Sequence, residues 1–305
     1  MPGLRHIISM KELSREDIER ILEKARELER FARKERSNML EGSVLATLFY
    51  EPSTRTRLSF ETAMKRLGGE VIDMVSKEVS SAAKGESLAD TIRVVDKYAD
   101  VIVLRHPKEG SARMAAEFSS VPIINAGDGA GHHPTQTRLD LYTIMRVSCL
   151  EGLNIALAGD LKYGRTVHSL AYALSLFGAN ITLVSPKQLR IPEFIKSDLR
   201  ARGIGIRETE SLESVMNEVD VLYVTRIQRE RFPDHEEYMK VAGVYRITGK
   251  LLDGVRDNLI IMHPLPRIDE IAPDVDRTKH AKYFEQAFYG VPVRMALLSM
   301  LLEAE

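Results

Sequence analysis

The most constraining feature of the sequence is an alternation of short apolar runs with helical patterns, repeated through both halves of the chain. The runs are rich in β-branched residues and have the length of buried strands. They lie at 44–50, 71–75, 101–104 and 121–124 in the first half, and at 154–158, 180–184, 219–225 and 258–262 in the second. Because a strand–helix–strand unit brings the chain back to the same sheet in the same direction, this order predicts parallel sheets whose strands are buried on both faces.

The segments between the runs have the apolar spacing of amphipathic helices. These predicted helices lie at 54–67, 87–98 and 111–119 in the first half, and at 164–177, 192–202 and 211–217 in the second. A further helix is predicted at 14–35, where Ser14 and Asp17 have the spacing of a capping box, and a last one at 288–303. A helix at 135–148 joins the two halves. We therefore predict an α/β fold of two doubly wound parallel-sheet domains linked by helices.

The charge of the chain is almost balanced, with 43 Lys and Arg residues against 44 Asp and Glu. A protein that binds nucleic acid or an acidic membrane by bulk electrostatics would show a basic excess, so neither partner is expected. Cys149 is the single cysteine, and the histidines lack metal-site spacing, so we expect no metal and no cofactor. No apolar run could span a membrane, and the N-terminus lacks the apolar core of a signal peptide, which predicts a cytoplasmic protein.

In open parallel sheets, ligands bind in the loops at the carboxyl ends of the strands. After 44–50 the chain reads Glu51-Pro52-Ser53-Thr54-Arg55-Thr56-Arg57, which places hydroxyls and guanidinium groups at a helix N-terminus. This combination binds phosphate, and ordinary capping would explain only one of the three hydroxyls. Lys84 follows the second run, Arg105 follows the third, and the glycine-rich segment 125–136 follows the fourth, ending in His133 and Gln136. Its glycines would let the backbone approach a ligand closely.

Cationic and amide side chains also follow the strands of the second half. Segment 159–166 nearly matches the P-loop pattern of nucleotide-binding proteins, but Arg165 replaces the lysine that reaches the phosphates. Arg226 and Gln228 follow 219–225, and with Arg165 they suit a dicarboxylate. The segment 263–267, His-Pro-Leu-Pro-Arg, follows 258–262, and its Leu265–Pro266 bond is a candidate cis peptide. The pattern predicts group transfer between two anionic small molecules.

These motifs, spread over nearly all of the chain, resemble those of the transcarbamylase superfamily. Ser53-Thr54-Arg55-Thr56-Arg57 is similar to its phosphate motif. Tyr163-Gly164-Arg165 and His263-Pro264-Leu265-Pro266 favour the aspartate branch, the catalytic chains of the aspartate carbamoyltransferases, over the ornithine branch. The resemblance implies that carbamoyl phosphate and L-aspartate give N-carbamoyl-L-aspartate and phosphate, the committed step of de novo pyrimidine biosynthesis.

The resemblance also implies a role for each site residue. The phosphate would be bound by Ser53, Thr54, Arg55 and Thr56, and the carbonyl oxygen by Thr56, Arg105 and His133. Gln136 would bind the carbamoyl amide together with the backbone carbonyls of Pro264 and Leu265, and Arg165, Arg226 and Gln228 would bind the aspartate carboxylates. Ser80 and Lys84 would enter from an adjacent subunit, which implies a homotrimer with intersubunit active sites. The catalytic residues would then be Arg55, Thr56, Lys84, Arg105 and His133.

By the same resemblance the chain divides into a carbamoyl-phosphate-binding domain at 1–134, a linking helix at 135–149 and an aspartate-binding domain at 150–287. The helix at 288–305 would pack back on the first domain. Relatives occur as bare trimers and as larger assemblies with zinc-containing regulatory chains, and the sequence does not distinguish the two. Two enzymatic or binding alternatives stay open: a transcarbamylase that uses ornithine or a related amine, and a nucleotide-dependent switch at 159–166. A non-catalytic scaffold is a third.

Overall fold

The computed structural model of the chain describes residues 5–74, 85–129, 133–228, 232, 234–241 and 243–303. The chain forms two compact units. The first comprises Met1–Tyr142 and Ala287–Glu305, and the second comprises Thr143–Gln286. None of the described helices is long and apolar enough to cross a membrane.

The first unit is built on a four-stranded parallel sheet with the order β2-β1-β3-β4. Its strands are β1 (Val44–Phe49), β2 (Glu70–Met74), β3 (Val101–His106) and β4 (Ile123–Asp128). Its helices are α1 (Arg15–Arg33), α2 (Thr54–Arg66), α3 (Leu88–Val95) and α4 (Ser111–Phe118), and the unit boundaries fall within α5 (Pro134–Val147) and α9 (Tyr283–Leu302). The carboxyl ends of β1, β3 and β4 are therefore neighbours along one edge of the sheet.

The second unit is built on a five-stranded parallel sheet with the order β7-β6-β5-β8-β9. Its strands are β5 (Asn154–Ala158), β6 (Asn180–Val184), β7 (Ile206–Thr209), β8 (Val221–Val224) and β9 (Ile260–Met262). Its helices are α6 (Arg165–Ser175), α7 (Glu193–Ala201) and α8 (His235–Met239). Two parallel sheets with helices between their strands confirm the predicted α/β fold.

Apolar burial explains why these segments form the sheets. Every residue of β4, β8 and β9 is buried.

The predicted capping box is present at α1, where the Ser14 hydroxyl accepts the backbone N–H of Asp17 and the Asp17 carboxylate accepts that of Ser14. The predicted stripe of α1 is buried as well: Ile18, Ile21, Leu22, Ala25 and Leu28.

The prediction of burial on both faces is wrong for β2. Ile72 in this strand is 41% exposed, and none of the five residues of β2 is buried. The strand lies at the edge of its sheet and pairs with β1 alone, so packing within the chain covers it less than the central strands.

The predicted helix at 211–217 is also wrong. This segment forms a series of turns, with the backbone N–H of Val215 donating to the carbonyl of Leu212 and that of Glu218 donating to Val215. The Ser211 hydroxyl accepts the backbone N–H of Ser214 at 3.2 Å. Serine side chains that bond to nearby backbone compete in this way with helical hydrogen bonds. Strand β7 and helix α8 were not predicted.

Candidate active site

The N-terminus of α2 lies directly after β1 and is left open by its own side chains. Ser53 occupies the N-cap position with extended backbone angles, yet its hydroxyl makes no capping hydrogen bond. Thr54 is exposed, Ser53 is half-buried, and the side chain of Thr56 is buried. A helix N-terminus with uncapped N–H groups attracts anions, and the hydroxyls beside it can donate further hydrogen bonds.

The two arginines of this segment differ in their contacts. Arg57 forms an ion pair with Asp73 of β2 at 2.5 Å, and the same carboxylate accepts a hydrogen bond from Thr47 of β1 at 2.6 Å. Arg55 has no ion-pair partner among the residues that the structure describes, and partial burial lowers the pKa of its guanidinium. Arg55 is thus available to an anion, whereas Arg57 ties α2 to the sheet.

Arg105 lies at the carboxyl end of β3, opposite the last residue of β1 in the strand register. Its Nη1 donates to the carbonyl of Ala126 in β4 at 3.3 Å, and its Nε lies 3.4 Å from a carboxylate oxygen of Glu51, outside hydrogen-bond geometry. Burial lowers the pKa of Arg105, the charge of Glu51 opposes this, and the charge of Arg55 adds to it. Two guanidinium groups that repel each other at one sheet edge favour an anion between them.

His133 and Gln136 lie after β4, at the beginning of α5. The side chain of His133 is buried, and its Nδ1 lies 3.4 Å from the hydroxyl of Thr135. Gln136 lies in the first turn of α5 and is half-buried. The predicted residues of the first unit therefore follow three neighbouring strands, β1, β3 and β4. Ser80 and Lys84 lie outside the residues that the structure describes.

In the glycine-rich segment after β4, packing against the chain's own backbone requires one of the glycines. Gly129 has a φ of 52°, and a Cβ atom there would lie 2.4 Å from the carbonyl oxygen of Pro107. Its backbone N–H donates to the carbonyl of His106 at 2.9 Å. At Gly129 the close approach is therefore to the chain itself rather than to a ligand, unlike the prediction.

In the second unit, the loop between β5 and α6 is held by the carboxylate of Asp160. This fully buried side chain accepts the backbone N–H of Tyr163 at 2.9 Å, and the N–H groups of Lys162 and Gln228 also donate to it. Burial raises the pKa of Asp160, and these hydrogen bonds oppose the rise. In a P-loop such N–H groups point at phosphate. Here they point at Asp160, which weighs against the nucleotide alternative.

The same contacts connect the loops that carry Arg165, Arg226 and Gln228. Gly159 packs so closely on the next loop that a Cβ atom would lie 2.2 Å from the carbonyl oxygen of Thr225. Arg165 is the first residue of α6, and Arg226 and Gln228 follow β8, which pairs with β5. All three side chains are half-buried. The structure thus brings these residues to the carboxyl ends of two neighbouring strands.

Pro264 and Leu265 lie in a tightly bonded loop after β9. His263 is buried, its Nδ1 accepts the backbone N–H of Leu265 at 2.8 Å, and its Nε2 lies 2.7 Å from Glu270. Since Nδ1 is an acceptor, Nε2 carries the proton that is donated to Glu270. Leu265 has a φ of 54° and the Leu265–Pro266 bond is cis, as the sequence suggested. This network fixes the backbone of Pro264 and Leu265.

Sequence models of one family match both halves of the chain. Residues 5–146 match the model for the carbamoyl-P binding domain of aspartate/ornithine carbamoyltransferase, and residues 151–301 match the model for its Asp/Orn binding domain. The chain belongs to the aspartate/ornithine carbamoyltransferase family. The match confirms the resemblance on which the predicted activity rests.

Members of the aspartate/ornithine carbamoyltransferase family resemble this chain over almost its whole length. The aspartate carbamoyltransferase catalytic subunit of Methanothrix thermoacetophila is 68% identical over 299 residues, which cover 98% of both chains. The solved catalytic subunit of M. jannaschii aspartate transcarbamoylase has a TM-score of 0.93 and 60% identity, with 99% of each chain covered. The Trypanosoma cruzi enzyme, solved with carbamoyl phosphate and aspartate, has a TM-score of 0.92 and 41% identity, with 98% of this chain and 97% of the other covered.

The site residues predicted from the sequence do not include the carboxylates that hold them in place. Asp160, Glu270 and Asp140 each accept hydrogen bonds from a predicted site residue or from the loop that carries one. The sequence marks none of them, because a buried carboxylate and a surface carboxylate look alike before the fold is known. The alternation of strands could have located Asp160, which directly follows the first glycine after β5.

Proposed function

We propose that this chain is the catalytic chain of an aspartate carbamoyltransferase. It transfers the carbamoyl group of carbamoyl phosphate to the amine of L-aspartate, as the committed step of de novo pyrimidine biosynthesis. The observation that carries the proposal is the uncapped N-terminus of α2, with the guanidinium of Arg55 beside it and Arg105 at the neighbouring strand end. The names of the relatives, and a T. cruzi relative solved with both substrates, support the choice of substrates.

In this proposal the phosphate of carbamoyl phosphate is bound at the start of α2. The hydroxyls of Ser53, Thr54 and Thr56 donate to its oxygens, and Arg55 supplies the charge. A charge-assisted hydrogen bond is about twice as strong as a neutral one, so Arg55 should contribute most.

The carbonyl oxygen of the substrate is bound by Thr56, Arg105 and His133. Attack by the amine gives a tetrahedral oxyanion at this atom before phosphate leaves, so these donors bind the transition state better than the ground state. One such donor is worth about 10²- to 10³-fold in rate. Gln136 recognises the carbamoyl amide, for which Pro264 and Leu265 also provide backbone carbonyls.

Arg165, Arg226 and Gln228 bind the carboxylates of aspartate, and Lys84 contacts both substrates. The two substrates are anions that repel each other, so the cations also supply proximity. Arg55, Thr56, Lys84, Arg105 and His133 are the proposed catalytic residues.

We further propose a homotrimer in which Ser80 and Lys84 complete the site of an adjacent subunit. The proposed domains are 1–134 for carbamoyl phosphate, 135–149 as the link, 150–287 for aspartate and 288–305 as a helix that returns to the first domain. We also propose that zinc-containing regulatory chains can bind the trimer, and that the enzyme works in the cytoplasm.

The test is the formation of carbamoylaspartate by the purified chain, with a native mass measurement on the same sample. Carbamoyl phosphate is supplied with L-aspartate or, in parallel, with L-ornithine. Turnover with aspartate alone and a trimeric mass are expected. Turnover with ornithine alone, or binding of ATP or GTP in preference to the bisubstrate analogue phosphonoacetyl-aspartate, would contradict the proposal.

A further inference from the structure

The side-chain amide of Gln136 is oriented by a carboxylate one helical turn away. Its Nε2 donates to Oδ1 of Asp140 at 2.9 Å, and both residues lie on the same face of α5. A carboxylate only accepts hydrogen bonds, so it selects the NH₂ end of the amide. The carbonyl oxygen of Gln136, Oε1, is thereby left on the opposite side of the amide.

Asp140 is itself fixed by burial and by a neighbouring cation. Its side chain is fully buried in the first unit. Arg294 of α9 is 2% exposed, burial lowers the pKa of its guanidinium to about 9, and the charge of Asp140 opposes that fall. A buried carboxylate is stable when a buried cation lies near it.

Arg294 in turn is held in place by its surroundings. Its guanidinium lies 5.0 Å from the centre of the ring of Phe60, a residue of α2. A Cβ atom on Gly290 would lie 2.2 Å from Nη1 of Arg294, so the guanidinium packs directly against the backbone at Gly290. Three helices therefore fix the position of Asp140 and, through it, of Gln136.

We propose that Asp140 is a positioning residue that makes the site selective for a carbamoyl group by holding Oε1 of Gln136 toward the ligand. This inference rests on the proposed function. The carbamoyl group carries an NH₂, which donates to Oε1. An acetyl group has a methyl at the same place and cannot donate, so it leaves a polar atom of the site without a partner.

Two stable probes measure this preference directly. Phosphonoacetamide is the analogue of carbamoyl phosphate in which a CH₂ group replaces the oxygen between carbon and phosphorus, and acetonylphosphonate has in addition a methyl in place of the NH₂. Inorganic phosphate serves as the third probe, because it reports on the start of α2 alone. Binding of all three to the whole chain is measured by calorimetry.

Asp140→Ala should weaken the binding of phosphonoacetamide about 10-fold, which is the loss in affinity expected for one hydrogen bond. The affinities for acetonylphosphonate and for phosphate should change less than about 2-fold, since neither probe bonds to the side-chain amide of Gln136. Gln136→Ala should lose the same preference for phosphonoacetamide over acetonylphosphonate. The double variant should lose no more affinity for phosphonoacetamide than either single variant, because Asp140 acts through Gln136.

Several results would overturn the inference. They are an unchanged preference in Asp140→Ala, an equal loss for all three probes, or a fully additive loss in the double variant. If Asp140→Ala fails to fold because Arg294 has lost its counter-charge, Asp140→Ala with Arg294→Met removes both charges and is measured in its place. A wild-type chain without any preference for the amide would contradict the proposed function as well, whereas a preference that survives in Asp140→Ala contradicts only the inference.

Discussion

Arg55 and Arg57 are two positions apart in the sequence, yet the fold gives them different contacts. Arg57 is paired with Asp73, and Arg55 has no ion-pair partner among the described residues. The motif alone predicted a phosphate site but did not separate the two guanidinium groups, because their difference depends on the position of β2 beside β1.

Arg55→Ala should therefore lower kcat by about 10²- to 10³-fold, since it removes a charged donor from the developing phosphate. Steady-state turnover of carbamoyl phosphate and aspartate measures the effect. A near-normal kcat would remove Arg55 from the proposed site.

Arg57→Ala is the matched control for this substitution. It should lower the free energy of unfolding by about 1 kcal/mol, since the ion pair is partly exposed, and should leave phosphate binding close to that of the wild type. The opposite pattern, with stability unchanged and phosphate binding lost, would exchange the roles of the two arginines.

Arg138 in α5 is a fully buried cation that the proposed site does not use. None of its three guanidinium nitrogens has a hydrogen-bond partner among the described residues. Burial lowers the pKa of Arg138 to about 9, opposed by Glu12, which is itself paired with Arg113. A buried charge without hydrogen bonds destabilises a fold.

Arg138→Met should accordingly raise the free energy of unfolding by about 1–4 kcal/mol, measured by urea denaturation. Arg294→Met is the control and should lower it, because Asp140 then becomes a buried anion without its neighbouring cation. A loss of stability in Arg138→Met comparable to that in Arg294→Met would show that Arg138 supports the fold.

At the scale of elements, the residue after α3 connects two parts of the first unit. Asp96 accepts hydrogen bonds from the Ser119 hydroxyl, from the backbone and hydroxyl of Ser120 and from the backbone of Val121. It thereby fixes the end of α3 to the segment between α4 and β4. Burial alone would raise the pKa of Asp96, but these hydrogen bonds and the one from Lys97 hold it far below its usual range.

Asp96→Asn should lower the free energy of unfolding by about 2–3 kcal/mol at neutral pH, because it replaces a charged acceptor and buries an NH₂ among donors. A carboxyl whose pKa is depressed in the folded state stabilises the fold above its unfolded pKa of about 4, and this contribution is lost as the pH falls below that value. Denaturation between pH 7 and pH 3 should thus show a smaller difference between the two chains at low pH. A constant difference would contradict the assigned hydrogen bonds.

The elements themselves could be predicted where the pattern was continuous. The runs at 154–158 and 180–184 are strands β5 and β6 without any shift, since every residue after the first asparagine of each run is apolar or β-branched. Strand β7 was missed because Arg207 and Glu208 interrupt its short apolar pattern, and its backbone bonds to β6 decide its structure. The apolar spacing predicted a helix at 211–217, but the Ser211 hydroxyl accepts a backbone hydrogen bond and the Ser214 hydroxyl donates one, and these bonds favoured turns.

At the scale of the whole molecule, contiguous motifs were predictable and supporting contacts were not. Ser53 to Arg57 form one segment, so the sequence shows their chemistry together. Asp140 and Arg294 lie far apart in the chain, and their charges interact only because the parts of α5 and α9 that carry them belong to the same unit. The proposed trimer poses the same problem between chains, because a site shared by subunits leaves no local pattern in the sequence of one.

Shared sites can be detected by mixing two inactive chains. Lys84→Ala and Arg105→Ala should each be inactive alone, since every site of either trimer lacks one cation. In a mixed trimer, a site is intact when the Lys84→Ala chain supplies Arg105 and its neighbour supplies Lys84. Random assembly of equal amounts therefore restores roughly a quarter of the wild-type sites. Carbamoylaspartate formation after dissociation and reassembly measures the recovery, and mixing either variant with itself is the control. No recovery above that control would mean that Lys84 and Arg105 act within one chain.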